Sequence, residues 1–278
     1  MEVLDIQNVE LFNFAAVLLG AGLFAGLLAG LLGVGGGAIS VPVLFYVFTF
    51  LGLDEATNMH LAVGTSLAII IPTSLSSLRA HHKRGAVDMD LLWAWAPAIV
   101  VGVALGSVLA GVSNSTLLIA IFASVALIMS INMVFGRQDW RLGEHMITGV
   151  KAHSVAGVMG GLSAMMGIGG GAFGVTVMTL YGYSIHRAVG TAAGFGAMIS
   201  IPGTIGFIIA GWDVPGRPPF SLGYVNLIGF VLLALAAAVA APVGAWLAHS
   251  TSRVTLMRAF ALFLFLTSLR MFWTLFSG

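Results

Sequence analysis

Two glycine-rich stretches are the residues best suited to chemistry in this sequence. Each places three consecutive glycines inside an apolar stretch: Gly35, Gly36 and Gly37 in the first, and Gly169, Gly170 and Gly171 in the second. Glycine is unfavourable inside a helix by about 1 kcal/mol relative to alanine, so we expect a helix to break at both. The helix that resumes after a break presents free backbone N–H groups and a partial positive charge, which bind anions.

Close helix packing is the competing explanation for these glycines, since small residues let membrane helices approach each other. The pattern GxGGGA occurs at both residues 33–38 and residues 167–172. Irregular backbone persists in a membrane only inside protein or beside a water-filled cavity. The repeated pattern therefore favours a binding site over packing alone.

The composition is that of a membrane protein. Hydrophobic residues make up 59% of the 278 residues and charged residues 8%, whereas soluble domains carry about 25% charged residues. The sequence therefore predicts an all-α polytopic membrane protein that contacts the lipid bilayer. A net charge of +1 argues against a nucleic-acid partner, and the absence of cysteine excludes disulfides and thiolate sites. The acidic N-terminus differs from a signal peptide, so we expect the first apolar segment to remain in the mature protein.

The apolar segments define the elements that would position the glycines. They cover residues 12–33, 36–52, 57–79, 91–112 and 115–136, then 150–166, 169–183, 186–211, 222–248 and 254–276. A helix needs about 20 residues to cross a bilayer, and the segments beside the glycines are short. Each short pair is either two spans or one broken helix, which gives eight to ten membrane segments.

Further matches show that the chain is duplicated. HLAVGTS at 60–66 matches HRAVGTA at 186–192, IPTS at 71–74 resembles IPGT at 201–204, and GSVLAG at 106–111 resembles GAWLAH at 244–249. We therefore predict a first transmembrane repeat at 12–136, a cytoplasmic linker at 137–149 and a second repeat at 150–276.

Loop charges predict the orientation. The basic loop residues are His81, His82, Lys83, Arg84, Arg137, Arg141, Lys151, Arg187 and Arg253. Placing them in the cytoplasm leaves Asp54 and Glu55 outside. Five segments per half then make the two repeats inverted, a transporter architecture with its site at the membrane midplane. An eight-span arrangement, with each glycine break inside one span, is the alternative.

Hydroxyl and imidazole side chains in the repeated AVGT elements are further candidates. Thr65, Ser66 and Thr191 could line a polar path, although such hydroxyls often bond to their own helix. His60 and His186 could couple transport to protons, since histidine titrates near neutral pH. A position near a segment end also suits an interfacial or capping role.

Arg270 is the ionisable residue that stands out within an apolar segment. An intramembrane charge is a functional hypothesis by default, and Arg270 could pair with an anionic substrate. The alternative is that its long side chain reaches the membrane surface from near the segment end. No metal-ligand spacing, nucleophile elbow or P-loop lysine occurs, so we expect no enzyme activity, metal or cofactor.

The duplicated glycine motifs, GLLAGLLGVGGGAISVPVL and GLSAMMGIGGGAFGVTVMTL, are each followed by an AVGT element and a proline. This arrangement closely resembles the sulfite exporter TauE/SafE family, also called TSUP, over about residues 14–276. The resemblance implies a membrane transporter for sulfite, sulfonates or related anions. It also implies roles for both glycine runs and for the AVGT elements at 62–65 and 188–191.

The expected function is secondary transport of a small anion across the cell membrane by alternating access. The backbone N–H groups at the glycine breaks would bind the anion, coupled to an ion gradient or to facilitated flow. A carrier for another organic anion such as a carboxylate, and an anion-selective channel, are the alternatives; a channel also uses broken helices and exposed backbone. Substrate identity, direction, coupling ion and oligomeric state stay open.

Overall fold

The computed structural model describes residues 15–27, 37–135, 141–143, 145–249 and 253–277. These residues form helices α1 (Ala15–Leu27), α2 (Gly37–Phe50), α3 (Glu55–Lys83), α4 (Met89–Val112), α5 (Ser115–Phe135), α6 (Gly149–Met166), α7 (Gly171–Leu180), α8 (Ile185–Ala210), α9 (Leu227–His249) and α10 (Arg253–Ser277). A two-stranded antiparallel hairpin, β1 (Ser221–Leu222) and β2 (Val225–Asn226), precedes α9. The predicted all-α class is confirmed. Part of the predicted linker, residues 137–140 and 144, lies outside the described residues.

Five of the described helices are long and apolar enough to cross a membrane: α3, α4, α5, α8 and the Met257–Phe276 portion of α10. Large apolar side chains such as Leu105 and Val108 of α4 are more than half exposed, as expected of a surface that faces lipid. The chain is therefore a multi-pass helical membrane protein.

The helices beside the glycine stretches are short. At about 1.5 Å per residue, the 10 residues of α7 rise only about 15 Å, half of a hydrocarbon core of about 30 Å. A helix of this length cannot cross the membrane alone. The second glycine stretch joins it to α6 within one apolar region of the chain, and irregular backbone in such a region must be enclosed by protein.

Helices α3 and α8 form an antiparallel pair at the centre of the molecule. Gly196 of α8 lies against Ser74 of α3, and Gly203 lies against Leu67. Further along, Gly64 of α3 packs beside Phe207 of α8. Residue numbers rise along one helix as they fall along the other, so the C-terminal end of α3 lies beside the N-terminal end of α8.

Each half of the chain packs its first helix against the fourth helix of the other half. In one pair, Gly102 and Gly106 of α4 contact the backbone of α6. In the other, Gly22 and Gly26 of α1 contact the backbone of α9. Since the repeat alignment matches α1 with α6 and α4 with α9, these contacts are counterparts of each other.

The two AVGT elements make the same contacts. The hydroxyl of Thr65 accepts a hydrogen bond from the N–H of Asn226 just before α9, at 3.0 Å. The hydroxyl of Thr191 accepts one from the N–H of Asp88 just before α4, at 2.9 Å. The preceding glycines, Gly64 and Gly190, leave room for the carbonyls of the same incoming loops. Both AVGT elements therefore fix the loop that leads into the fourth helix of the other half.

We expect Thr65→Val to lower the free energy of unfolding by about 1–3 kcal/mol, because it leaves the N–H of buried Asn226 without its acceptor. Thr274→Val is the matched control, since the Thr274 hydroxyl makes a solvent-exposed hydrogen bond to a carbonyl of its own helix. Thermal melting in detergent measures both variants. Equal melting temperatures for the two variants would contradict the anchoring role of Thr65.

Candidate functional site

The helix breaks at the second glycine stretch, as predicted. Helix α6 is capped by Gly167, and Gly170 caps the start of α7; their φ angles are 67° and 66°. Such left-handed backbone costs other residues about 1–2 kcal/mol, so both positions require glycine. In the first stretch, Gly35 and Gly36 lie outside the described residues, and Gly37 is the first residue of α2.

The two glycine stretches meet in the middle of the protein. A Cβ atom at Gly37 would lie 3.0 Å from the carbonyl oxygen of Gly167 and 2.7 Å from the side chain of Ile70. The same Ile70 side chain lies beside Gly169. The hydroxyl of Ser66 donates to the Gly167 carbonyl at 2.9 Å, which ties α3 to the second break. A side chain at Gly37 would collide with these atoms, so glycine at this position allows the two stretches to approach this closely.

A cavity of about 110 Å³ opens beside the second break. Its lining consists of Ile70, Thr73, Ser74 and Ser77 of α3, Gly169 and Gly171 of the break, and Val189, Ala192, Ala193 and Gly196 of α8. A water molecule occupies about 30 Å³ in the liquid. The cavity therefore has room for a small oxyanion, between hydroxyl groups on one side and exposed backbone on the other.

The start of α7 supplies hydrogen-bond donors to this cavity. The N–H groups of Gly171, Ala172 and Phe173 have no acceptor among the described residues, and the capping Gly170 has no side chain to offer one. The first turn of a helix directs its N–H groups outward past its N-terminus. These donors and the helix dipole favour a bound negative charge, and no described carboxylate lines the cavity to compete.

Cations continue from the cavity towards the C-terminal end of α3. Arg79, Lys83 and Arg84 line a groove together with Ser76, and all three cations lie within about two helical turns beyond Ser77. None of the three forms an ion pair with a described acidic residue. We call this side of the molecule the basic end. Its positive potential would concentrate anions near the cavity.

Asp88 joins three elements at the basic end. Its carboxylate accepts hydrogen bonds from the hydroxyl of Tyr183 at 2.8 Å, the guanidinium of Arg187 at 2.9 Å and the N–H of Leu91 at 3.0 Å. Burial opposes ionisation, but these hydrogen bonds and the Arg187 charge outweigh it and lower the pKa of Asp88. Burial and the bond to Asp88 raise the pKa of Tyr183 to about 12, so the phenol remains a donor.

The lowered pKa predicts a pH dependence. Since the pKa of Asp88 in the folded protein lies below its usual 3.8, its carboxylate stabilises the fold above that value, and the stabilisation is lost as the pH falls through the folded-state pKa. We expect Asp88→Asn, which keeps a capping side chain, to lower stability at pH 7 by less than about 1 kcal/mol, because Arg187 is largely exposed. The difference from the unsubstituted protein should shrink between pH 5 and pH 3 in thermal melts. A constant difference over that range would argue against ionisation of Asp88 as the cause.

The structure places the predicted site residues in different surroundings. Gly169 and Gly171 line the cavity, and Gly170 adjoins it. The hydroxyls of Thr65, Ser66 and Thr191 are engaged in the contacts described above. Arg270 is exposed and lies over the ring of Tyr46, 5.1 Å from its centroid, away from the cavity. Its pairing with a substrate stays a prediction.

The two histidines lie at opposite ends of the molecule. His60 is buried, and its Nε2 atom lies 3.0 Å and 3.1 Å from the carbonyl oxygens of Ala110 and Ser113. Since both neighbours are acceptors, Nε2 carries a proton. His186 is exposed at the basic end. Proton coupling through either residue stays a prediction.

The interpretation of the sequence missed the hydroxyls of α3 that line the cavity. Thr73, Ser74 and Ser77 follow Pro72 within two helical turns and share one side of the helix. Thr73 and Ser74 belong to the IPTS element of the repeat. Ser74 and Thr73 precede Ser77 by three and four positions, and this spacing indicates that the three hydroxyls share one side of a helix.

Comparisons with known proteins match nearly the whole chain to one family and to probable membrane transporters. A family model described as sulfite exporter TauE/SafE matches residues 18–271. A probable membrane transporter protein of Haemophilus influenzae is 32% identical, over 94% of this chain and 99% of that protein. A probable membrane transporter protein of Methanocaldococcus jannaschii is 26% identical, over 84% of each chain. No solved structure matches the chain significantly.

Proposed function

The chain belongs to the sulfite exporter TauE/SafE family, and we propose that it is a secondary transporter for a small sulfur-containing anion such as sulfite or an organosulfonate. It carries this anion across the cell membrane by alternating access. The family match and the transporter names of the relatives support membrane transport. The sulfur-containing substrate is suggested by the family description.

The observation that carries the proposal is the cavity at the second glycine break. The N–H groups at the start of α7 have no acceptor among the described residues, and Gly171 of this turn lines the same space as Ser74 and Ser77, which suits a small oxyanion. Hydrogen bonds that involve a charged partner are about twice as strong as neutral ones. A neutral site made of dipoles also releases its anion more readily than a fixed cation would, which transport requires.

The proposed orientation places the basic end in the cytoplasm. Arg79, Lys83 and Arg84 then attract anions to the cytoplasmic mouth of the cavity. In this conformation the substrate enters from, or leaves to, the cytoplasm. The direction of net transport follows the substrate and ion gradients.

Inverted repeats are part of the proposal. The repeat-related helices α3 and α8 run antiparallel, and the contacts of Thr65 and Thr191 are repeated at opposite ends of this pair. Two halves of opposite orientation can exchange their conformations, and the exchange opens the site to the other side of the membrane. This is the physical basis of alternating access.

A binding screen followed by a flux assay tests the function. Purified protein is melted with sulfite, thiosulfate, sulfoacetate, taurine, isethionate and small carboxylates. A ligand present at about 100 times its dissociation constant stabilises the folded state by about 2.7 kcal/mol, which a melting curve detects. We expect the largest shift with a sulfur oxyanion or a sulfonate.

The same ligand is then tested in proteoliposomes. A carrier shows saturation and counterflow of labelled substrate, whereas a channel shows neither. A shift with carboxylates alone would keep the anion site and reject the sulfur-containing substrate. No shift and no flux with any of these anions would contradict the proposal.

A further inference from the structure

We infer that the transport path continues beyond the cavity along one side of α8, past Ser200 and Thr204, and that Phe207 and Tyr224 close its far end. The inference deepens the proposed function and rests on it. It assigns the half of the path that is closed in this conformation and names the residues that must move to open it.

Two hydroxyls on α8 are buried without a hydrogen-bond partner in the part of the chain that the structure describes. The Oγ atom of Ser200 and the Oγ1 atom of Thr204 are both inaccessible to solvent and unpaired among the described residues. They lie one and two turns beyond Gly196, which lines the cavity, and therefore on the same side of the helix. Buried polar groups normally have partners, and a passing hydrated anion would provide them.

Ile70 separates these hydroxyls from the cavity. The antiparallel contacts of Ser74 with Gly196 and of Leu67 with Gly203 place Ile70 opposite Ser200. Ile70 lines the inner end of the cavity and contacts both glycine stretches, through Gly37 and Gly169. A small displacement of either stretch would move this side chain out from between the cavity and Ser200.

Aromatic rings close the far end of the path. Phe207 follows Thr204 by about one turn, and its ring lies edge-on to that of Tyr224, with 6.4 Å between centroids. The N–H of Tyr224 donates to the Phe207 carbonyl at 3.1 Å. Tyr224 also stacks on the ring of His60, with 4.7 Å between centroids. The hairpin of β1 and β2 presents Tyr224 to this position.

The repeat alignment explains why the cavity opens at one end only. Matching Pro72 with Pro202 places Ser77 opposite Phe207 in the two halves. Ser77 is small and leaves the cavity open at the basic end, whereas the Phe207 ring fills the equivalent space and is fully buried. On opening, the hairpin and Phe207 have to withdraw from α3.

Cysteine labelling tests the path without a substrate, because the sequence contains no native cysteine. Single variants Ser77→Cys, Ser200→Cys and Thr204→Cys are reacted with a hydrophilic thiol reagent in detergent. Ser107→Cys is the matched control, since Ser107 on α4 is equally buried and unpaired but packs against Gly206. Each is repeated in a Tyr224→Ala background and, in case that variant misfolds, in a Phe207→Ala background.

We expect rapid labelling at position 77 in every background. At positions 200 and 204 labelling should accelerate at least tenfold when Tyr224 or Phe207 is replaced, while position 107 stays unreactive. Equal, slow labelling at 200, 204 and 107 in all backgrounds would overturn the inference. If the expected labelling is found but no anion shifts the melting curve, the path stands and the proposed substrate class fails.

Discussion

Gly170→Ala is expected to weaken anion binding by about tenfold to a hundredfold while the protein remains folded and inserted. The φ angle of 66° at Gly170 costs alanine about 1–2 kcal/mol. An added Cβ atom would also overlap the end of the Ile199 side chain. The end of the Ile199 side chain can rotate away, but relief of the backbone strain shifts the start of α7, which misdirects the N–H groups of Gly171 and Ala172.

The size of the effect follows from the hydrogen bonds that would be lost. A hydrogen bond to a charged group contributes about 1.5–3 kcal/mol, and 1.4 kcal/mol corresponds to tenfold in affinity. One misaligned N–H group is therefore enough for the expected loss. Titration of the ligand against the melting temperature measures the affinity, and counterflow in proteoliposomes measures transport.

Gly52→Ala is the matched control for this prediction. Gly52 has a φ angle of 71° but has no neighbour within 4 Å of an added Cβ atom, and it lies in the loop between α2 and α3. It should show the same backbone strain and retain anion binding. If both variants bind the anion as tightly as the unsubstituted protein, the break at Gly170 does not form the site.

The break itself could be predicted from the sequence because its cause is local. Consecutive glycines disfavour helix whatever surrounds them, and both Gly167 and Gly170 adopt backbone angles that other residues avoid. Repetition of the motif also indicated a duplicated chain, although Val175-Thr176 in the second copy replaces Val41-Pro42 of the first, so the two breaks need not be equivalent. Their meeting around Ile70 depends on how the halves pack, which spacing along the chain does not encode.

The roles of the hydroxyl residues were less predictable. A threonine in an apolar helix indicates a polar contact but does not identify the partner. Thr65 and Thr191 contact loops that are distant in the sequence, Asn226 and Asp88 respectively. Ser77 lies near the end of an apolar segment, where the sequence alone does not distinguish a site residue from an interfacial one.

The role of Arg270 was similarly ambiguous in the sequence, and the fold shows what its charge contacts. It stands over the Tyr46 ring, an arrangement in which aromatic and cation attract each other. Three cations of the basic end, Arg79, Lys83 and Arg84, instead continue along the chain from the lining residue Ser77. In the sequence they indicated membrane orientation, and the fold also places them beside the mouth of the site.

Ser77→Asp should weaken anion binding by at least tenfold and up to about a thousandfold. Ser77 and Gly171 at the start of α7 line the same cavity, so the new carboxylate would lie close to the bound anion. Two unit charges about 4 Å apart repel by about 4 kcal/mol at the effective dielectric constant of 20 that suits sites near a protein surface. The carboxylate would also accept the α7 N–H groups itself and so compete with the substrate.

Ser77→Asn separates charge from size, because asparagine has nearly the shape of aspartate and no charge. We expect this variant to bind within a few-fold of the unsubstituted protein. Dissolved salt screens the repulsion between the carboxylate introduced by Ser77→Asp and the anion. The loss of affinity in Ser77→Asp should therefore become smaller as the ionic strength rises. Equal losses of affinity in both variants would mean that the size of the new side chain, rather than its charge, weakens binding. Unchanged affinity in both variants would place the anion elsewhere. A loss confined to aspartate identifies the cavity beside the second glycine break as the place where the anion's charge is bound.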